Sequence, residues 1–294
     1  MLDKARGFRI EIERKTQKRL ETRPENKRSV IVAAITDQAP KNKTYQSQQI
    51  LFYGGYFIMA RNNKKSKGYF TKDILTKFAK AIIAAKEAVK TGTDLIVRIS
   101  NKNSKMGEVA SVSLVPFFSC PGVCKTTCAK KCYAAKIANL RPSVLYSYAI
   151  NQALAIYRPD IYWPSIDLAC KAVKFFRFHV SGDILNYEYF ENMIQIARNN
   201  PTTEILVFTK KYDIINKWID CNGSLPENMH LLFSGWDNLV PVNPHKLPET
   251  NVFKTEDEIK ENWKICGGNC FNCACRGVGC WQAKTGDTIA FKLH

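Results

Sequence analysis

The chain contains no apolar run near the length of a transmembrane helix, and its first residues, MLDKARGFRIEIERK, contain no signal-peptide apolar core. These absences lead to the expectation of a cytoplasmic protein with no membrane partner, in a compartment where thiols stay reduced. Internal repeats and low-complexity tracts are missing too, which removes solenoids and fibrous architectures. Acidic residues are scarce: 26 Asp and Glu stand against 44 Lys and Arg, for a net charge of +18. Global disorder is excluded by 45% hydrophobic and 11% aromatic residues. With 294 residues the chain can build one large α/β domain or two smaller ones.

The charge excess draws polyanions, which makes nucleic acid or a phosphorylated substrate the expected partner class. Basic residues cluster in KTQKRLETRPENKR (15–28), RNNKKSKGYFTK (61–72) and CKTTCAKK (124–131). A solvated, lysine-rich surface would account for the same composition. Cysteine is more telling. Four of the eleven cysteines, Cys120, Cys124, Cys128 and Cys132, recur every fourth residue in SCPGVCKTTCAKKCYA. One buried cysteine is an ordinary small hydrophobe, but a run at this density calls for a metal, a cluster or disulfides. A reducing compartment favours the first two.

Along the chain, residues 1–28 read as a charged arm or exposed helix, SVIVAAIT (29–36) as a strand, and ILFYGGYFIMA as a strand pair bent at Gly54-Gly55. TKDILTKFAKAIIAAKEAVKTG has Ile74, Phe78, Ile82, Ala85 and Val89 on one stripe and Gly92 as a stop, which predicts an amphipathic helix. DLIVRIS and VASVSLVPFF predict strands, the second entering the cysteine block. Two helical segments follow, PSVLYSYAINQALAIY and WPSIDLACKAV. FFRFHVSGD, EILVFTKK and HLLFSGWDN then alternate as strands with the helical YEYFENMIQIARNN and YDIINKWI, and TIAFKLH closes the chain as a strand. That rhythm predicts an α/β fold of parallel βα units forming a partial or complete barrel, or a doubly wound sheet. Three segments are expected: a basic α+β region (1–118), a cysteine loop with a barrel-like core (119–240), and a cysteine-rich end (241–294).

Alternation along FRFHVSGD puts Phe176, Phe178 and Val180 on one face and Arg177, His179 and Ser181 on the other. Three strand ends carry polar residues where α/β folds place their sites: Asp183, then Thr209, Lys210 and Lys211, then Ser234, Gly235, Trp236 and Asp237. His179, Asp183 and Lys210 are the candidate acid–base or substrate-orienting groups. Pro121-Gly122 makes the first cysteine block a loop able to fold thiols round a centre, an iron–sulfur cluster or a zinc staple. The absence of a CxxC pair there favours the cluster. CGGNCFNCACRGVGCW supplies a second ligand group, Cys266, Cys270, Cys273, Cys275 and Cys280, with His294 able to reach back, and zinc is the alternative metal here especially. Cys170 and Cys221 read as packing residues.

From about Ser119 to His294 the chain resembles the phage "gene product 88" family, found in phages and mobile elements. The resemblance rests on the block ending in CY, on FRFHVSGD with NYEYF and IARNNP, on VFTKKY, and on the closing cysteine block with CW and a terminal LH. It implies a compact cysteine-rich α/β protein of a mobile element, acting in the host cytoplasm, and supplies no activity. A looser similarity is to radical S-adenosylmethionine enzymes. Cys124, Cys128 and Cys132-Tyr133 would stand for their cluster loop and Ser181-Gly182-Asp183 for their small-residue strand motif. The spacing here is CxxxCxxxC, a fourth cysteine is at hand, and the motif is SGD rather than GGE. That similarity implies a 4Fe–4S cluster and S-adenosylmethionine, with Tyr133, Ser181, Gly182, Thr209 and Ser234 around the cofactor. Two other functions fit the same residues. One is a non-catalytic, zinc-stapled nucleic-acid-binding protein; the other is a zinc-containing base-exchanging (transglycosylase-like) enzyme with Asp183 as nucleophile.

Overall fold

The computed structural model describes residues 50–53, 56–59, 68–236 and 239–293. The arm and strand expected within residues 1–36, and Asp237 and His294, lie outside the described residues. A hairpin comes first: β1 (Ile50–Tyr53) pairs antiparallel with β2 (Tyr56–Met59), on either side of the expected bend. The predicted amphipathic helix is α1 (Lys72–Lys90). Thr71 caps it by accepting the Ile74 N–H at 3.4 Å, and Phe78, Ala85 and Val89 are buried on the expected stripe.

The predicted strand DLIVRIS does not pair as one beyond a single bridge, Ser100 with Ser111. Its backbone is held by a side chain instead. The Asn151 amide accepts the Arg98 N–H at 2.7 Å and donates to the Arg98 carbonyl at 2.9 Å, which satisfies the groups a neighbouring strand would have met. β3 (Ala110–Val112) leads to two 3₁₀ turns, Gly122–Lys125 and Cys128–Lys131, and then to α2 (Tyr133–Leu140). The order continues with α3 (Pro142–Tyr157), α4 (Pro159–Lys171), β4 (Phe175–Phe178) and α5 (Tyr187–Asn199). β5 (Glu204–Thr209), α6 (Tyr212–Asn222) and β6 (Met229–Ser234) follow, then β7 (Glu249–Phe253), β8 (Trp263–Ile265), α7 (Cys270–Arg276) and β9 (Thr288–Lys292).

Seven strands, β3 to β9, form one all-parallel sheet in the order β3-β4-β5-β6-β7-β9-β8. The βα rhythm is therefore confirmed as parallel pairing. Closure into a barrel is not: β3 and β8 end the hydrogen-bonded order and do not pair with each other. The sheet draws on all three expected segments, since β3 precedes Ser119 and β7 to β9 follow residue 240.

Strand alternation gives the sheet two apolar faces. Phe176, Phe178, Ile205, Val207, Leu231 and Phe233 join the large core under the helices. Their chain neighbours Phe175, Leu206 and Leu232 point the other way, into a smaller core with Met106, Val109, Trp281 and Ile289. The cysteine-rich end of the chain covers that second face. No helix among the described residues is long and apolar enough to cross a membrane.

Candidate metal centre

Two buried amides on α3 fix the exit of β3. Gln152 accepts the Val115 N–H at 3.1 Å, and Asn151 donates to the Ser113 carbonyl at 3.1 Å. The cysteine loop begins from that anchor. An extended Pro121 and a non-helical Thr127 each precede a 3₁₀ turn, so thiols four positions apart fold back on one another instead of spreading along a helix. The Cys124 thiol hydrogen-bonds with both Cys120 and Cys128, and these contacts, with its burial, push it up. The bond from Cys124 brings Cys128 down to about 6 against its burial, helped by the Lys210 ammonium and the Thr127 side chain. Cys132 stands further off, pushed up to about 12 by burial and by the charges of Cys120 and Cys128.

This set lies at the C-terminal ends of the parallel strands. Lys210 donates from Nζ to Ser234 Oγ at 2.6 Å and lies 6.0 Å from the Trp236 ring centroid. The Tyr212 hydroxyl donates to the Ser234 carbonyl at 2.5 Å. Its acidity is suppressed by burial and by the acidic groups around it, Asp183, Cys124, Glu249 and Cys128, all neighbours of its hydroxyl. In the sequence Tyr212 figures only in VFTKKY and at the start of YDIINKWI, and Glu249 not at all, since a glutamate starting a strand carries no motif.

Other expected site residues are absorbed by the fold. Asp183 is 4% exposed. Its Oδ1 accepts from Ile184 N–H at 2.8 Å and Thr209 Oγ1 at 2.6 Å, and its Oδ2 from Lys210 N–H at 2.9 Å. Burial raises its pKa while those three bonds lower it. Asp183 and Thr209 therefore clamp the rim between β4 and β5. Ser181 Oγ donates to the Leu114 carbonyl at 2.9 Å, and a Cβ at Gly182, whose φ is 84°, would collide with Ser119 Oγ. Ser181-Gly182-Asp183 packs against the exit of β3 and does not line an open pocket.

His179 departs from the expected face. Its φ of 60° is left-handed and reverses the alternation after Phe178. Val180 consequently packs beside the Arg177 face, while His179 turns to the helix side, where Nε2 meets the Tyr189 hydroxyl at 3.0 Å. Buried at 3% exposure and brought to about 3 by burial and the Arg177 charge, it is a neutral core residue. The helix-side cleft lined by Trp163, Leu185, Asn186 and Tyr189 holds no thiol and no cationic side chain.

The second thiol set lies on the other face of the sheet. Cys266 follows β8, Cys270 and Cys273 sit on α7, and Cys280 lies in the 3₁₀ turn Gly279–Gln282. Burial raises Cys273 and Cys280, and the charges of Cys266 and Cys270 raise both further. Cys275 is exposed and takes no part in that mutual influence. Cys170 is buried as expected, whereas Cys221 is exposed on α6 and is no packing residue. Tyr133 stands between the two sets. Its ring is half exposed, its hydroxyl donates to the Val180 carbonyl at 2.9 Å, and its charged and thiol neighbours include Arg177, Cys132 and Cys270.

Among the described residues no three His, Cys, Asp or Glu side chains are already spaced to enclose a metal ion. Each set is a gathering of thiols that coordination would draw in by side-chain rotation. Soft thiolate donors beside cationic groups suit iron–sulfur or zinc centres and suit hard cations poorly.

A cysteine-rich, all-parallel α/β protein with thiols gathered at its strand ends is the class these features define. A family model described as gene product 88 matches residues 62–290, and the chain belongs to that family. The match begins well before Ser119 and takes in α1 and β3. No curated protein and no solved structure matches the chain.

Proposed function

We propose that the chain is an iron–sulfur enzyme whose cluster is held at the strand ends by Cys120, Cys124 and Cys128, with Cys132 beside them. One observation carries the reading: the Cys124 thiol meets both Cys120 and Cys128, and Cys128 lies next to Lys210, at the rim where parallel α/β sheets hold their ligands. When bound, such a cluster supplies one-electron chemistry. The chain's own residues would bind and orient the substrate. Lys210 offers a cation, Ser234 a hydroxyl and Trp236 an aromatic face, which suits a nucleotide or a nucleic-acid end. The net charge of +18 supports a polyanionic substrate. S-adenosylmethionine is the co-substrate to test first, held by these rim groups, because Ser181-Gly182-Asp183 is occupied by the fold.

A second reading rests on Cys132. If it completes a four-thiolate shell, the site is closed and the protein is a zinc-stapled nucleic-acid binder. A base-exchanging role for Asp183 is not proposed, since both its oxygens are engaged and it is shielded from solvent. The experiment is incubation of anaerobically purified, reduced protein with S-adenosylmethionine, with methionine and 5′-deoxyadenosine measured. Product release that Cys124→Ser abolishes supports the radical reading. A metal-loaded protein that releases neither, yet binds single-stranded nucleic acid with a steep salt dependence, supports the second.

A further inference from the structure

Arg177 occupies an unusual position for a cation. It projects from the middle of the sheet onto the second face, with its guanidinium 4.6 Å from the Phe208 ring centroid. Its Nη1 lies 3.4 Å from Met106 Sδ and 3.9 Å from Cys270 Sγ, and its buried Nε has no hydrogen-bond partner. Among the described residues no carboxylate pairs with it. Among the described residues the only hydrogen-bond contacts of its side chain are sulfur atoms, and a half-buried cation so placed is costly beside neutral thiols and stable beside thiolates. The site therefore calls for negative charge on the cysteines, and a bound metal is what keeps several neighbouring thiols ionised.

Three further features narrow the occupant. The Gly268 N–H donates to Cys266 Sγ at 3.4 Å, a backbone bond that stabilises a metal-bound thiolate. The Trp281 indole N–H donates to the Cys270 carbonyl at 3.0 Å and ties the start of α7 to the apolar core. Cys273 Sγ packs close to the backbone before α7: a Cβ placed on Gly267 would lie 3.3 Å from it, tighter than ordinary contact. Four thiols brought together from the end of β8, from α7 and from the 3₁₀ turn after it are the donor set of a closed tetrahedral site, the geometry that zinc-class ions take.

We infer that Cys266, Cys270, Cys273 and Cys280 hold one zinc-class ion, with Cys275 outside the shell and Arg177 as its counter-charge. This ion closes the second face of the sheet, where apolar packing is thin. Binding expels the thiol protons to solvent and leaves a net negative centre, which the guanidinium offsets. The inference is independent of the iron–sulfur reading at the rim, because the two centres draw on different cysteines.

Zinc and iron per chain, measured on the full-length protein and on Cys273→Ser, Cys275→Ser and Cys128→Ser, test it together with thermal unfolding. One zinc per chain is expected in the wild type, in Cys275→Ser and in Cys128→Ser, and none in Cys273→Ser, whose Tm falls. Loss of zinc from Cys275→Ser, or loss of iron instead of zinc from Cys273→Ser, would overturn the assignment. Should Cys273→Ser fail to fold, cobalt substitution of the wild type decides. Intense tetrahedral bands with thiolate charge transfer support the site, and weak octahedral bands refute it. Arg177→Met should lower zinc affinity about 10- to 100-fold, and unchanged affinity would remove its role as counter-charge.

Discussion

The two thiol sets use the same ligand in opposite surroundings. The rim set stands over strand ends among Lys210, Ser234, Trp236 and Tyr212, where polar side chains bond to one another and to the strand end beside the thiols. The face set rests on Phe175, Leu206, Leu232, Trp281 and Ile289, with little polar surface left over. A metal in the first place can take part in chemistry; one in the second holds a surface together. Parallel sheets in α/β proteins are normally covered on both faces by helices. Here helices cover one face with a large core, and a cysteine-rich segment of low regularity covers the other.

That contrast can be broken at several points. The largest effect belongs to the face set. Trp281 is 3% exposed and lies 5.4 Å from the Phe175 ring centroid, so Trp281→Ala should cost about 3–5 kcal/mol. Chemical denaturation measures it, and the iron proposed for the rim should be retained in the variant under native conditions. Next comes the rim clamp. Asp183→Asn turns an amide donor toward the Lys210 N–H or the Thr209 hydroxyl, and should cost about 1–3 kcal/mol. A variant of wild-type stability with no turnover would instead restore Asp183 as a catalytic group.

A pH effect comes third. His179, held at about 3 in the fold against an ordinary 6.5, stays neutral while the unfolded chain takes up a proton. Stability is therefore fully present above about pH 6.5 and falls by about 1.4 kcal/mol per pH unit as the pH drops toward 3. His179→Asn, which tolerates the left-handed backbone, should remove that slope between pH 6 and 5, roughly one proton's worth. Equal slopes in denaturation series of both proteins would contradict the assignment. The smallest effect on stability is expected at Lys210. Lys210→Met should shift unfolding by less than about 0.5 kcal/mol, yet weaken substrate handling about 100-fold. The first without the second would make the rim structural, like the face.

Strand and helix order was legible wherever one element carried one period. The stripe of α1 and the apolar runs of β4, β5, β6 and β9 were read correctly because burial on these faces is decided locally. Misreadings came where a single residue overrode the pattern. His179 reverses the face of its strand through one backbone angle, which spacing does not reveal. Asn151 takes the place of a strand partner for residues near Arg98, a contact 53 positions away in sequence. At the site, cysteine density was plain, but the sorting of Cys275 from its neighbours depended on how α7 is turned. Asp183 looked free because polar residues at strand ends can serve a ligand or the fold equally, and bonds from two backbone N–H groups and the Thr209 hydroxyl decide for the fold.

The central claim, an iron–sulfur centre at the rim, is met most directly by anaerobic purification followed by the visible spectrum and by iron and sulfide counts. A brown protein with several irons and matching sulfide per chain is expected, its colour lost in Cys124→Ser and kept in Cys275→Ser. A colourless protein carrying zinc alone after anaerobic reconstitution would contradict the account.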